Sequence, residues 1–518
     1  MGVHESTATA LVADIRSGRV SALEAVEACI ARIEAIDPRI NAVPQRRFTS
    51  AREEARRADA RRDAGEPLGL LHGLPITIKD QFRVEGMPTT LGVERRRAAL
   101  EPSDGPLVRR LREAGAIVLG KGNVMQLLLG WECDNPVFGP TRNPWDVERT
   151  SGGSSGGDAA AVAYGGVPLA LGGDFAGSLR VPAAFCGVCA LKPTGGRLTN
   201  MDTPPEPYAP QEAIIPQPGP IARKVADLVL AMDVLAAPGL SLLDPAVPPV
   251  PWLCPDAGPL RVGFSEDNGL FAPSPAVRRA VREASSALER TGVTVTPVKG
   301  PDGEAILRSF LELLGADRLR RSAAFMKGEK LSPPLRANLR LASMPSPVAS
   351  LVAAGMALSG RARVARLLRT PRLADPADYF EALGERAALR VAVLAEWERV
   401  GVDVMLCPVV GTPAFRHGAS EHLMDAVSYA FAYNILGFPA GTVPVTTVRP
   451  DEESGRPVSS DPSDLAAAEG DRGSAGLPVG VQIVGRPWEE HRVLAVMQAL
   501  EAALGDPVLT PVTPAPSP

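Results

Sequence analysis

The chain has 518 residues, 45% of them hydrophobic and 22% charged, and its 55 basic and 59 acidic side chains leave a formal net charge of -4. That balance gives no electrostatic footing for nucleic acid, and the composition is that of a globular protein able to bury a large core. Six cysteines in this length do not make a disulfide framework, and no apolar run reaches the eighteen or so residues that span a bilayer.

At the N-terminus "MGVHES" fits the loose myristoylation pattern through Gly2 and Ser6, a match too short to outweigh chance. The basic, apolar, small-residue order of a signal peptide is missing, so a cytoplasmic location is expected. Ser6 to Ile40 reads as two amphipathic helices, the second opened by Ser21 and closed before Pro38, and another charged helix follows through Ala64. Strand-like runs then alternate with helices in "LPITIKD", "VRRLREAGAIVLGK", "VPLALGGD", "LRVGFSEDNG" and "VRRAVREASSALERTGVTVTPV". Such alternation predicts an α/β sheet.

The middle, 304–399, reads as largely helical and carries Phe310, Phe325, Met326, Met344, Met356 and Phe380, side chains that more often build core than a ligand pocket. The stretch 450–475 is polar, acidic and turn-rich, and lies between the strand-like "GTVPVTTV" and "GLPVGVQIVG". Its composition predicts a mobile insertion joining two paired strands.

Two serine-bearing, glycine-rich stretches carry the chemistry. In "RTSGGSSGGDAAAVAYGG", Arg149 to Gly166, the glycines lead into an alanine-rich helix, with Ser155 and Asp158 in a Ser-x-x-Asp capping pattern and Gly165 and Gly166 as the stop. Glycine at a helix N-terminus exposes backbone N–H groups and permits close approach, which suits an active-site floor, while the Lys-Ser/Thr ending of a phosphate loop is absent. In "LALGGDFAGSLRVPAAF" an apolar strand ends, glycines turn, and Ser178 follows Gly177, leaving N–H groups from Phe175 to Ser178 to face an oxyanion.

A serine nucleophile needs a base. Only seven of the 55 basic residues are lysine, and Lys79 lies in an apolar strand whose alternation puts Thr77 and Lys79 on one face and Ile76 and Ile78 on the other. Arginine cannot give up its proton, so a lysine chosen there is a candidate base. Metal chemistry has no such support: His4, His72, His417, His422 and His491 show no ligand spacing, and Cys186 and Cys189 lack a second pair.

The residues "GLPITIKD", "GGSSGG" and "GSLR" resemble, in order and spacing, the signature elements of the amidase signature family. The resemblance continues through "NPVFGPTRNPWD", "FCGVCALKPTGGRL", "GPIARKVADL", "YNILGFPAGTVPV" and "GLPVGVQIVGRPWEE". The wording of "ECDNPVFG" and "FCGVCALKPTGGRL" is similar to the branch that holds fatty acid amide hydrolases and fungal acetamidases. The resemblance implies one large α/β domain over 1–518, a mixed β-sheet covered by helices on both faces. Within it, 1–64 supplies N-terminal helices, 65–235 the catalytic core and 304–399 a variable helical substrate region.

Carried over by position, the resemblance makes Ser178 the nucleophile, Ser154 the bridging serine and Lys79 the base. The backbone N–H groups of Phe175, Ala176, Gly177 and Ser178 would form the oxyanion hole, and Ser155, Asp174 and Arg180 would hold the cluster. It implies a small-molecule amide substrate, no cofactor, no metal, no nucleic acid and no membrane span, and it admits a homodimer. Two positions depart from the family pattern: Gly173 stands where threonine is frequent and Ala176 where glycine is common. If position 176 needed φ > 0, the alanine would cost about 1 kcal/mol.

The expected activity is hydrolysis of a carboxamide with an apolar acyl group. The alternatives are the glutaminase subunit of a tRNA amidotransferase, which would need a partner chain, and a catalytically silent binding protein on the same fold. The intact set of Lys79, Ser154 and Ser178 argues against the last.

Overall fold

Short runs rich in β-branched and aliphatic residues form the strands of one sheet in the computed structural model, which describes residues 2–204, 212–255, 258, 260–369, 373, 375–505 and 511. The expected unit of 1–518 therefore extends past the described residues at its C-terminus. In chain order the strands are β1 (Gln45–Arg46), β2 (Pro75–Lys79), β3 (Ile117–Gly122), β4 (Leu169–Asp174), β5 (Cys189–Lys192) and β6 (Gln217–Ala222). They continue with β7 (Arg261–Phe264), β8 (Thr294–Pro297), β9 (Val404–Pro408), β10 (Ala440–Thr447) and β11 (Pro478–Gly485). These eleven strands lie in the order β1-β3-β2-β4-β6-β5-β10-β11-β9-β7-β8.

The sheet is mixed. β2 runs parallel to β3 and β4, and β7 runs parallel to β8 and β9, while the strands between these blocks pair antiparallel. Every residue of β2, β3 and β4 is buried, as parallel strands require when helices cover both faces of a sheet. The expected α/β class with a mixed sheet is the observed one. β6 is a strand that composition hides, because Pro218 and Pro220 cannot donate to a ladder; they sit opposite Gly173 and Leu171 of β4.

The N-terminal helices form where expected. Thr7 accepts from the Ala10 N–H, and Ser21 with Glu24 makes a capping box. The second helix does not stop before Pro38 but runs to Ile40. So near the end the proline removes only one backbone bond, and the Asp37 carboxylate organises the exit by accepting from the Ala42 and Val43 N–H groups and from Arg46. Asn41 then ends the helix in the left-handed region, φ 61°.

The middle is helical, from Gly303–Leu314 to Pro376–Val400, and its large side chains divide. Phe310 is core, stacked on Phe431 at 4.4 Å between centroids. Met326 joins a small cluster with Leu91, Leu127 and Leu335, Met344 and Met356 flank another, and Phe380 is exposed.

The 450–475 segment joins β10 to β11, which pair antiparallel. Its polarity suggested a mobile link, yet it builds the helix Pro462–Asp471, N-capped by Asp461, against the body of the protein. The reason is a pair of buried guanidinium groups. Arg456 pairs with Asp471 at 2.6 Å, and Arg149 donates to the carbonyls of Ala414, Gly470 and Arg472. Polar backbone satisfied in this way can be buried without an apolar stripe. Among the described residues no single helix is long and apolar enough to cross a membrane.

Candidate active site

Parallel pairing of β2 with β4 brings the C-terminal ends of both strands to one edge, and Lys79 ends β2 there. Its Nζ donates to Ser154 Oγ at 2.9 Å and to the Gly173 carbonyl at 3.0 Å. The lysine is fully buried, and burial lowers its pKa from 10.5 to about 8. At pH 7 about a tenth of such lysines are neutral, against about one in 3,000 for an unperturbed one.

The glycines around Ser154 are there for proximity. A Cβ on Gly157 would lie 2.2 Å from the Asn123 nitrogen, one on Gly153 2.4 Å from the Glu132 carbonyl, and one on Gly156 2.4 Å from Ser151 Oγ. The loop is thus packed on all sides, and a Gly153–Ser154 cis peptide lies within it. The helix Gly156–Ala163 starts and stops as the sequence indicates, but not with the expected cap. Ser155 makes no side-chain cap bond; its hydroxyl donates to the Gly173 carbonyl at 3.1 Å, and Asp158 accepts instead from Thr77 Oγ1 at 2.9 Å. Both side chains thus turn to the sheet, Ser155 to β4 and Asp158 to β2.

The turn after β4 carries Ser178, which is buried and opens onto the same cavity as Lys79 and Ser154. Its left-handed residue is Gly177, φ 102°, whereas Ala176 does not have positive φ, so the alanine carries no backbone penalty. The Ala176–Gly177 peptide is clamped at both ends: Trp131 Nε1 donates to the Ala176 carbonyl at 2.8 Å, and the Gly177 N–H donates to Asp174 Oδ1 at 2.7 Å. Gly177 therefore does not offer its N–H to an oxyanion, which removes one of the four expected donors. The N–H groups of Phe175, Ala176 and Ser178 have no protein acceptor among the described residues. At the other departure, a Cβ on Gly173 would come within 2.6 Å of Gln81 Oε1, so Gln81 occupies the space a threonine would take.

Asp174 and Arg180 hold this turn from below. All five Arg180 N–H donors have acceptors: both Asp174 oxygens, Asn434 Oδ1, Gln482 Oε1 and the Ala430 carbonyl. Burial opposes the Asp174 charge, but the Arg180 guanidinium overrides it and holds that carboxyl well below the usual range. Removing one partner of a buried pair leaves the other uncompensated, so Asp174→Ala is expected to destabilise the protein by about 3–5 kcal/mol. Urea unfolding checks it; a loss within about 1 kcal/mol would contradict a structural role for the pair.

Three neighbours escaped the sequence reading. Asn434 and Gln482 lie in stretches that carried the resemblance but bear no chemical mark of their own. Cys133 accepts the Gly156 N–H at 3.1 Å and donates to the Ser154 carbonyl at 3.3 Å, beneath the serine loop. Cys186 and Cys189 are buried thiols with separate partners, and no group of three or more His, Cys, Asp or Glu among the described residues is placed to hold a metal.

Two cavities meet at Ser178. One, of about 860 Å³, reaches Lys79 and Ser154 and has Gln81, Asn200 and Thr203 in its wall. The other, of about 190 Å³, is walled mostly by apolar side chains, among them Trp131, Phe175, Phe310, Leu314 and Met424, with Glu312, Arg318 and Asn338 also in its wall. Phe175 and Leu314 are common to both.

The amidase family model matches residues 24–494. The chain is similar to fatty-acid amide hydrolase 1 of Sus scrofa, 36% identical over 444 residues that cover 84% of this chain and 76% of that protein. It is also 33% identical to a glutamyl-tRNA(Gln) amidotransferase subunit of Myxococcus xanthus, over 97% of this chain and 98% of that one. A solved fatty acid amide hydrolase superimposes with a TM-score of 0.84 at 24% identity, covering 98% of this chain and 86% of the other. With the family model spanning nearly the whole chain, this protein belongs to the amidase signature family, whose enzymes hydrolyse amide C–N bonds.

Proposed function

We propose that the chain hydrolyses a carboxamide with an apolar acyl group through a Ser178 acyl-enzyme. The observation that carries this reading is the 2.9 Å contact of buried Lys79 with Ser154, at the cavity onto which Ser178 opens. Neutral Lys79 takes the Ser178 proton through the Ser154 hydroxyl as Ser178 Oγ attacks the carbonyl carbon. The carbonyl oxygen, now an oxyanion, meets the N–H groups of Phe175, Ala176 and Ser178. The C–N bond then breaks, and the proton returns by the same path to the departing amine. Water enters, gives its proton to the relay and its oxygen to the acyl carbon, and Ser178 regains its hydrogen as the acid leaves.

The aromatic cavity supports the choice of acyl group. Its volume of about 190 Å³ exceeds the roughly 150 Å³ that holds a benzene ring in an apolar protein cavity, enough for one aryl or branched aliphatic group. The larger cavity, with its amide and hydroxyl side chains, suits the amine portion.

Kinetics on an arylacetamide and on free glutamine test the reading. The aryl amide is expected to show the higher kcat/KM with this chain alone. A higher value on glutamine, or activity only after a partner subunit is added, would assign the chain to the amidotransferase role instead.

A further inference from the structure

The strand that carries Lys79 also holds, through Thr77, a buried carboxyl that the proposed mechanism does not use. Asp158 is fully buried in the first turn of the helix Gly156–Ala163, and its Oδ1 accepts from Thr77 Oγ1 at 2.9 Å. Oδ2 has no hydrogen-bond partner among the described residues. Thr77 and Lys79 are two residues apart on β2 and so point to the same face, which puts the hydroxyl that holds the Asp158 carboxyl on the strand face that carries Lys79. Gly122 of β3 makes the room, since a Cβ there would lie 2.3 Å from Asp158 Oδ2.

A first-turn acid at the helix N-terminus could serve the helix alone. Two features point elsewhere. The hydroxyl that stabilises the carboxylate comes from the strand that carries Lys79, and the second oxygen has no partner among the described residues, a penalty that a capping acid turned to water would avoid.

We propose that Asp158 is a positioning residue that sets the charge of Lys79: ionised and held by Thr77, it keeps the proton on the lysine, and neutral, it lets the proton go. The inference rests on Lys79 acting as the base. Burial pushes the Asp158 carboxyl up to about 7, close below the value of about 8 for Lys79, so both groups change charge in one pH range. The other groups facing the pair are accounted for. Asp80 is ion-paired with Lys121 at 2.9 Å, Asp174 is ion-paired with Arg180, and burial pushes the Cys133 thiol up to about 12, which keeps it neutral.

The sign follows from Coulomb's law. An ionised Asp158 stabilises protonated Lys79 and raises the pH at which the base becomes free. Asp158→Asn keeps an acceptor for Thr77 but never carries charge, so the acid limb of kcat/KM is expected to move down by about one pH unit. At pH 6 that variant would run at about ten times the wild-type fraction of its own plateau rate. Thr77→Val removes the donor that favours the carboxylate, leaves Asp158 neutral to higher pH, and is expected to move the limb the same way by a smaller amount.

The experiment is a pH series of kcat/KM for the full-length wild type, Asp158→Asn, Thr77→Val and Lys79→Ala on one amide, with thermal unfolding as the check on folding. A limb that stays in place or rises in the folded Asp158→Asn protein overturns the inference; if that variant does not fold, Thr77→Val decides by the same criterion. Should Lys79→Ala retain wild-type activity, the base assignment fails. Should Lys79→Ala be inactive while the limb stays in place, only the role of Asp158 fails.

Discussion

Ser178→Ala is expected to abolish amide turnover and labelling by a fluorophosphonate, the largest effect of any single substitution. The hydroxyl is the only group proposed to bond to the acyl carbon, and removing it leaves water to attack a carbonyl with no covalent route. The alanine lacks one oxygen in a turn fixed by Asp174, Arg180 and Trp131, so the fold and both cavities should persist. Mass spectrometry of the labelled protein locates the reactive side chain. Full labelling of the alanine variant at another serine would show that the nucleophile lies elsewhere.

Lys79→Ala is expected to cost about two to four orders of magnitude in kcat, the usual range for a general base, with the protein still folded. A loss of less than tenfold would place the base on another group. In the wild type the rate should rise with pH through about 8, because burial lowers the Lys79 pKa to that value and only the neutral amine accepts a proton. A rate that falls steadily from about pH 6 to 9 in stable protein would contradict a neutral-lysine base. Stability shares this sign: the unfolded chain holds the Lys79 proton up to about 10.5, so the cost of burying the lysine diminishes as pH rises from about 8 toward that value. Lys79→Arg should fail as the alanine does, since a guanidinium stays charged throughout.

Much of this site was legible in one dimension. Lys79 stood out because the chain otherwise prefers arginine, and Ser154 and Ser178 because glycine-rich turns next to a helix start and a strand end present hydroxyls and N–H groups. The α/β class followed from alternating periods, and the N-terminal helices from their caps. All of these are signals within about ten residues, where spacing fixes geometry. The same local logic misjudged Ser155 and Asp158, whose capping pattern is genuine but loses to partners on β4 and β2.

What only the tertiary structure decided are contacts between residues far apart in the chain. Gln482 is 302 residues from Arg180 and Asn434 is 260 from Asp174, yet these four side chains fix the turn that carries Ser178. The turn directs the Gly177 N–H to Asp174, so which N–H groups remain for the proposed oxyanion hole depends on an ion pair that no local pattern specifies. The helix Pro462–Asp471 is settled likewise by Arg149, whose three carbonyl acceptors lie more than 250 residues downstream. Periodicity and caps report the backbone's own preferences, whereas a buried charge must find its partners wherever the folded chain brings them, and sequence distance carries no record of that.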